Sequence, residues 1–324
     1  MPKEDLTPAR SLNGRDALDE IRTQGPADML ARLGAAFTIL GRAEDAVGFY
    51  QQAIERYRAN QDRRGEAVAL SSLGHAHWQR GETPQALDAY HLAAAMYRLV
   101  NQPVHEALAL NCIGLLHDQQ GDYEGALNYY EQALAILWDA GDKDAEADTL
   151  DVIGMAQRRL GNHRLALDAH EQALAIRLRR KDRAGEASTR HALAMVFDAM
   201  GEPERAITYY EWALRLRQQV DDRPGEAVTS YNLAKHYERL NLLREAEALL
   251  ARAVELEILL GHPDAANDEA ELNALRARRR EAGLPPPEDT TGGFPRLKIE
   301  DEEDDEDSSL AATRRHPRPD TGVR

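Results

Sequence analysis

The histidines are the residues of this sequence whose chemistry first suggests metal binding or acid–base catalysis. His75 and His77 are two residues apart, so on a helix they point in different directions. His163 and His170 are seven apart, and the sequence offers them no carboxylate or cysteine partner. Zinc sites on helices instead use pairs four residues apart, as in His-Glu-x-x-His. The sequence therefore predicts structural or surface histidines, no metal site and no catalytic residue.

Other chemical features narrow the class of protein. The sequence has no phosphate-binding loop, nucleophile elbow or dinucleotide fingerprint, which predicts no bound cofactor. The single cysteine, Cys112, is predicted to be a buried, unpaired thiol in a reducing compartment. A formal net charge of −16 argues against nucleic-acid and membrane surfaces. With no signal peptide and no apolar run near the ~20 residues of a membrane span, we expect a cytoplasmic protein, and the Ala- and Arg-rich composition suggests a bacterial source.

The elements that position the side chains come from a 40-residue repeat. A small residue that follows Leu or Ile recurs at Gly34, Gly74, Gly114, Gly154, Ala194 and Ala234. A second position carries Gly41, Gly81, Gly121, Gly161, Gly201 and Asn241. A third carries Tyr50, Tyr90, Tyr130, His170, Tyr210 and Leu250. A fixed period of this size predicts stacked helix pairs.

Each recurring position has a physical interpretation. Glycine in the middle of a helix costs roughly 1 kcal/mol, so the first position predicts a close approach by a neighbouring helix. The second position predicts a helix end, because Gly and then Asn are preferred in the left-handed conformation there. The aromatic position predicts large apolar anchors on the second helix of each pair.

Helix starts are also indicated by residue type. Aspartates are predicted to cap first helices at Asp62, Asp142, Asp182 and Asp222. Gln102 and His262 are each followed by a proline suited to the first helical position. Asp122 and Asn162 are predicted to cap second helices.

The repeat resembles the tetratricopeptide repeat. One copy reads Leu73-Gly74-x2-His77, then Ala86-x3-Tyr90 and Ala93, and the match covers about residues 26 to 260. The opening Trp and the terminal Pro of the family pattern are absent from every copy. The chain is similar to the 40-residue subtype of kinesin light chains and bacterial signalling proteins. This resemblance implies an all-α, right-handed superhelical solenoid of six antiparallel helix pairs with capping helices, in a family of scaffolds rather than enzymes.

We expect four segments along the chain. Residues 1–25 form an arm with a short capping helix from Asp16 to Thr23, and residues 26–262 form the six repeats. Residues 263–283 form a C-terminal capping helix with Leu272 and Leu275 inward, and residues 284–324 form a disordered tail. The tail contains eight consecutive acids at 300–307. This acidic block could solubilise the protein, dock on a basic partner, or occupy the protein's own groove near the arginines at 276–280.

By resemblance to the family, ligands lie along the exposed stripe of the first helices, at i, i+4 and i+7. The predicted partner-binding residues are Ser71, His75, Trp78, Asn111, Asp118, Asp151, Met155, Arg158, His191, Asp198, Tyr231, Lys235 and Glu238. Such a mixture of aromatic, methionine and charged side chains suits a peptide-binding groove. The alternative is a solvated helix face that binds nothing in particular.

The sequence therefore predicts a non-catalytic adaptor or regulatory scaffold that binds a partner protein or peptide in its groove. A second hypothesis is a sensor in which a peptide or small molecule switches a partnered effector. An enzyme is the least favoured class, because the sequence lacks a catalytic constellation.

Overall fold

The structure is a computed structural model that describes residues 26–287, and this part of the chain contains thirteen α-helices and no β-strand. The helices are α1 Ala27–Ile39, α2 Ala43–Ala59, α3 Arg63–Gln79, α4 Thr83–Leu99, α5 Pro103–Gln119, α6 Tyr123–Ala140, α7 Lys143–Arg159, α8 His163–Arg180, α9 Arg183–Met200, α10 Pro203–Gln219, α11 Arg223–Arg239, α12 Leu243–Leu260 and α13 Ala265–Glu281. Odd-numbered helices are the first helices of pairs. The prediction of an all-α solenoid of helix pairs is confirmed.

The contacts divide the chain into two compact units, Met1–Ala145 (unit 1) and Glu146–Arg324 (unit 2). Within unit 1, each helix from α1 to α6 packs on the next, around a core that includes Phe49 and Tyr90. Within unit 2, helices α8 to α13 pack in the same sequential way, around a core that includes Phe197 and Tyr210. Packing between neighbours in sequence is the arrangement expected of a repeat protein.

The recurring glycines behave at the helix ends as the sequence predicts. All five glycines of the second position have φ between 69° and 81°, and Asn241 has φ 58°. The structure also shows left-handed residues after the second helices, at Gln61, Asn101, Gly141, Lys181, Asp221 and Gly261. These ends were not predicted, because their residue types vary from copy to copy.

The mid-helix glycines make room for the aromatic ring of the same pair. Gly34 faces Tyr50, with 2.7 Å between the ring and the position a Cβ would take, and Gly74 faces Tyr90 at 3.0 Å. A Cβ at Gly114 would overlap the Tyr130 ring. The predicted close approach is therefore confirmed, and its cause is a specific contact between the first and third recurring positions.

Most predicted helix caps are confirmed. Asp62, Asp122, Asp182 and Asp222 each accept a hydrogen bond from the backbone N–H three residues later, and Asp142 does so from Ala145 at 3.1 Å. Two predictions at helix starts are wrong. Asn162 makes no capping bond, and its side-chain amide instead donates to Gln157 Oε1 at 2.9 Å. Pro263 precedes the helix by two residues, since α13 begins at Ala265.

The ends of the chain are described only in part. Leu272 and Leu275 of α13 are buried, on the face where the sequence placed them. The expected helix at 16–23 and the acidic block at 300–307 lie outside the described residues. In the described part of the chain, no helix combines the length and hydrophobicity that a membrane span requires.

Candidate functional site

In unit 1, the stripe residues of α3 and α5 form a half-buried surface, here called the unit 1 face. Ser71, His75 and Trp78 lie on α3, and Asn111 and Asp118 lie on α5. The indole Nε1 of Trp78 donates to Gln119 Oε1 of α5 at 2.8 Å, and the His75 ring meets the indole edge-on at 5.6 Å. Trp78 is thus held in one orientation by its neighbours, as an anchoring side chain should be.

Two exposed aliphatic residues belong to the unit 1 face although they were not predicted. Val68 of α3 is 47% exposed and Leu108 of α5 is 43% exposed. They occupy the same position of successive repeats, three residues before Ser71 and Asn111. Comparing residue types at that position could have found them, since the sixth copy has Val228, which is also exposed.

A cavity of about 390 Å³ adjoins Val68 between α1 and α3. Its wall includes Ala31 and Ala35 of α1, whose small side chains leave the space open. Tyr57 donates a hydrogen bond to Asp28 Oδ1 at 2.7 Å at this wall. Burial, together with that carboxylate, raises the pKa of the Tyr57 hydroxyl. The cavity is open to solvent and combines apolar side chains with a fixed polar group.

Cys112 lies close to this surface but its environment does not favour reactivity. The side chain is half-buried and unpaired. Burial raises the pKa of the thiol, although the Tyr90 hydroxyl opposes the shift. A thiol with a raised pKa carries little thiolate at neutral pH.

In unit 2, Asp151 is the centre of an interior polar network. Its carboxylate accepts from Arg177 Nη2 at 2.8 Å, Thr189 Oγ1 at 2.8 Å and His170 Nδ1 at 2.9 Å. His170 is fully buried. The prediction that it lacks a carboxylate partner was wrong, because its Nδ1 contacts the Asp151 carboxylate. The partner is 19 residues away in sequence. Asp151 thus spends its hydrogen-bonding capacity inside the protein.

His191 is also interior, although the sequence placed it on the exposed stripe. Its Nδ1 lies 3.1 Å from Thr229 Oγ1, and its Nε2 lies 3.4 Å from the Asn232 amide nitrogen. Burial, followed by the charges of Arg217 and Arg158, lowers the pKa of His191 to about 3. His191 is therefore neutral at physiological pH.

Asp198, Lys235 and Glu238 of the unit 2 stripe each pair with a residue of the following first helix. Arg239 donates to Asp198 at 2.9 Å, and Lys235 donates to Glu271 at 2.7 Å. Arg278 donates to Glu238. These pairs join residues 36 to 41 apart, so they connect successive first helices.

Tyr231, Met155 and Arg158 complete the described stripe of unit 2, and Arg158 is half-buried. Tyr231 donates to Glu271 at 3.3 Å, and Met155 is exposed. Three of the four arginines considered for the acidic block are engaged within α11 to α13. Arg276 and Arg279 pair with Glu247 at 3.4 Å and 2.5 Å, and Arg278 pairs with Glu238.

Comparison with known proteins agrees with this architecture. A family model described as "Tetratricopeptide repeat" matches residues 26–99, 105–179 and 185–256, together more than half of the chain. The protein belongs to the tetratricopeptide repeat family. Members of this family are typically non-catalytic interaction scaffolds. A search of curated proteins found no match.

Solved structures with the same fold include BtubC (BKLC) from P. vanneervenii. It is 21% identical with a TM-score of 0.60, over 68% of this chain and 92% of that one. A Rap protein complexed with competence and sporulation factor is 17% identical with a TM-score of 0.56, over 82% and 80%. The Rap conjugation gene regulator of plasmid pLS20, in complex with the Phr* peptide, is 15% identical with a TM-score of 0.52, over 86% and 81%.

Proposed function

We propose that the protein is a non-catalytic scaffold that binds a partner protein or peptide on the unit 1 face. The observation that carries this proposal is the exposure of Val68 and Leu108 at equivalent positions of successive repeats, beside a cavity of about 390 Å³. Exposed apolar patches rimmed by polar residues mark interaction sites more often than isolated apolar side chains do.

The composition of the unit 1 face defines the chemistry of the partner. Val68, Leu108 and Trp78 favour apolar side chains, and a tryptophan already held in place adds contact area at little cost in entropy. Ser71 and His75 lie beside them and can exchange hydrogen bonds with a peptide backbone. The proposed partner is therefore a segment with two or more large apolar residues.

The stripe of unit 2 has a different role in this proposal. Lys235, Glu238 and Asp198 already form ion pairs with their neighbours. A charged partner would have to displace these pairs, and stranding one member of a pair is costly. We therefore describe the stripe of unit 2 as a polar surface, with Met155 as its exposed apolar residue.

A capture experiment tests the proposal. The purified full chain is used as bait in an extract of its own cells, and the captured partner is then titrated by calorimetry. Val68→Asp and Leu108→Asp should each weaken binding at least about tenfold, because a buried charge replaces an apolar contact. The melting temperature should change by no more than about 2 °C, since both positions are exposed.

Leu92→Asp is the matched control. Leu92 is 51% exposed, comparable with Leu108, but it lies on the second helix α4. Its substitution should leave the dissociation constant unchanged. Equal affinity of Val68→Asp, Leu108→Asp and wild type for every captured partner would contradict the proposed site.

A sensor that switches a partnered effector is the second candidate. The two Rap proteins were solved in complex with a factor and with a peptide, which favours a peptide as the signal. A ligand that tightens a solenoid reduces its radius of gyration, and small-angle X-ray scattering measures this change. A reduced radius on peptide binding supports the sensor, and an unchanged radius with retained binding supports the simple scaffold.

A further inference from the structure

The outer face of α1 lacks the cover that protects the same face of later first helices. Met29 is 45% exposed, whereas its repeat equivalents Ala69 and Ala109 are 1% and 2% exposed. Ala36 is exposed, whereas its equivalent Ala76 is buried. The later first helices α3 and α5 pack against the preceding second helices α2 and α4. No helix precedes α1 among the described residues, and Met29 and Ala36 on this face are exposed.

A cavity of about 430 Å³ lies on the N-terminal half of this face. It is lined by Pro26, Asp28, Met29, Arg32 and Leu33. Pro26 is the first described residue, so the preceding chain leaves directly from the cavity wall. The wall offers apolar contacts and one charge of each sign.

Residues 16–23 have a sequence that suits this cavity. Leu18 and Ile21 are three residues apart, so they share one face of a helix. Only Gln24 and Gly25 separate the segment from Pro26, and glycine permits a sharp turn there. Eight helical residues span about 12 Å, which equals the length of α1 from Pro26 to Leu33.

The charges of the segment complement those of the cavity. The segment contains Asp19, Glu20 and Arg22, whose charges are opposite to those of Arg32 and Asp28 in the cavity wall. Partly buried pairs of this kind fix orientation more than they add stability. Apolar contact and charge therefore favour the same occupant.

We propose that residues 16–23 fold back along α1 and bury Leu18 and Ile21 against the cavity. A turn centred on Gly25 brings Ile21 level with Met29, and Leu18 level with Arg32, one residue before Leu33. The docked segment takes the place that a preceding second helix takes in later repeats, and it closes the open end of unit 1 against a second copy of the chain. Ile39 lies about 9 Å beyond its reach.

Disulfide trapping in the full chain tests this arrangement. In a Cys112→Ala background, one variant carries Ile21→Cys with Met29→Cys, and another carries Leu18→Cys with Leu33→Cys. A disulfide requires Cα atoms about 4.4–6.8 Å apart. Both variants should form a bond within one chain at low protein concentration, at least about tenfold faster than the control pair Leu18→Cys with Ile39→Cys. Mass spectrometry of the digested, unreduced protein identifies the bond.

A second measurement avoids introduced cysteines. Leu18→Asp with Ile21→Asp should expose the cavity and increase the rate at which dilute peroxide oxidises Met29, whereas Thr23→Ser should leave that rate unchanged. Equal bond formation in test and control pairs, or an unchanged oxidation rate in the double variant, overturns the proposal. Bonds that form only between two chains also overturn it and assign the face to a second copy.

Discussion

Substituting Asp151 should destabilise the fold rather than remove a partner contact. The carboxylate is 14% exposed and accepts hydrogen bonds from Arg177, Thr189 and His170. Asp151→Ala leaves Nδ1 of the fully buried His170 without an acceptor, and an unsatisfied buried donor costs about 1–3 kcal/mol. Arg177 keeps two carboxylates, Asp148 and Asp182, so the loss stays below that of a fully broken buried pair.

These terms sum to a loss of about 3 kcal/mol in the free energy of unfolding. For a chain of this size, 1 kcal/mol corresponds to about 2–4 °C, so the melting temperature should fall by about 6–12 °C. Differential scanning calorimetry and urea denaturation measure the two quantities.

Asp148→Ala is the matched control, because Asp148 pairs with the same arginine at 2.9 Å but is 67% exposed. Exposed ion pairs contribute about 0–1 kcal/mol, so the melting temperature should fall by no more than about 3 °C. If the two variants lost the same stability, the interior network around Asp151 would not have the importance argued here.

Three further predictions concern single residues. Gly114→Leu should lower the free energy of unfolding in urea by about 1–3 kcal/mol, because the leucine side chain meets the buried Tyr130 ring. Gly114→Ala should lower it less, since the fifth copy combines Ala194 with Tyr210. Equal losses of stability in the two variants would contradict the contact. His191 has a folded pKa of about 3, lowered by burial and by Arg217 and Arg158, so the unfolded chain binds more protons than the folded chain between about pH 6.5 and 3. The free energy of unfolding should therefore decrease as the pH is lowered through that window, by at most about 1.4 kcal/mol per pH unit. His191→Gln should flatten this slope in a series of melting curves. Burial, followed by Asp268, raises the pKa of Glu257 to about 7, so the folded chain binds more protons than the unfolded chain. The free energy of unfolding should therefore decrease as the pH rises from about 4.5 through 7. Glu257→Gln should raise the melting temperature at pH 8 relative to wild type, and an unchanged melting temperature would exclude this coupling.

The sequence by itself determined the features that depend on short-range interactions. The left-handed residues at Gly41 and Asn241, and the caps at Asp62 and Asp222, involve backbone groups within a few positions along the chain. Residue type alone therefore predicts them. The repeat multiplied this local signal, since each feature recurs at the same place in successive copies. The helix pairs followed from the same periodicity.

Only the tertiary structure decided which polar side chains face the interior. Asp151 and His191 occupy stripe positions, yet their partners Thr189 and Thr229 lie 38 residues away on the next first helix. A position within one repeat cannot show whether the neighbouring repeat supplies a donor or an acceptor at hydrogen-bonding distance. Val68 and Leu108 were missed for the same reason, because the side chains that surround a position determine whether it is buried or exposed.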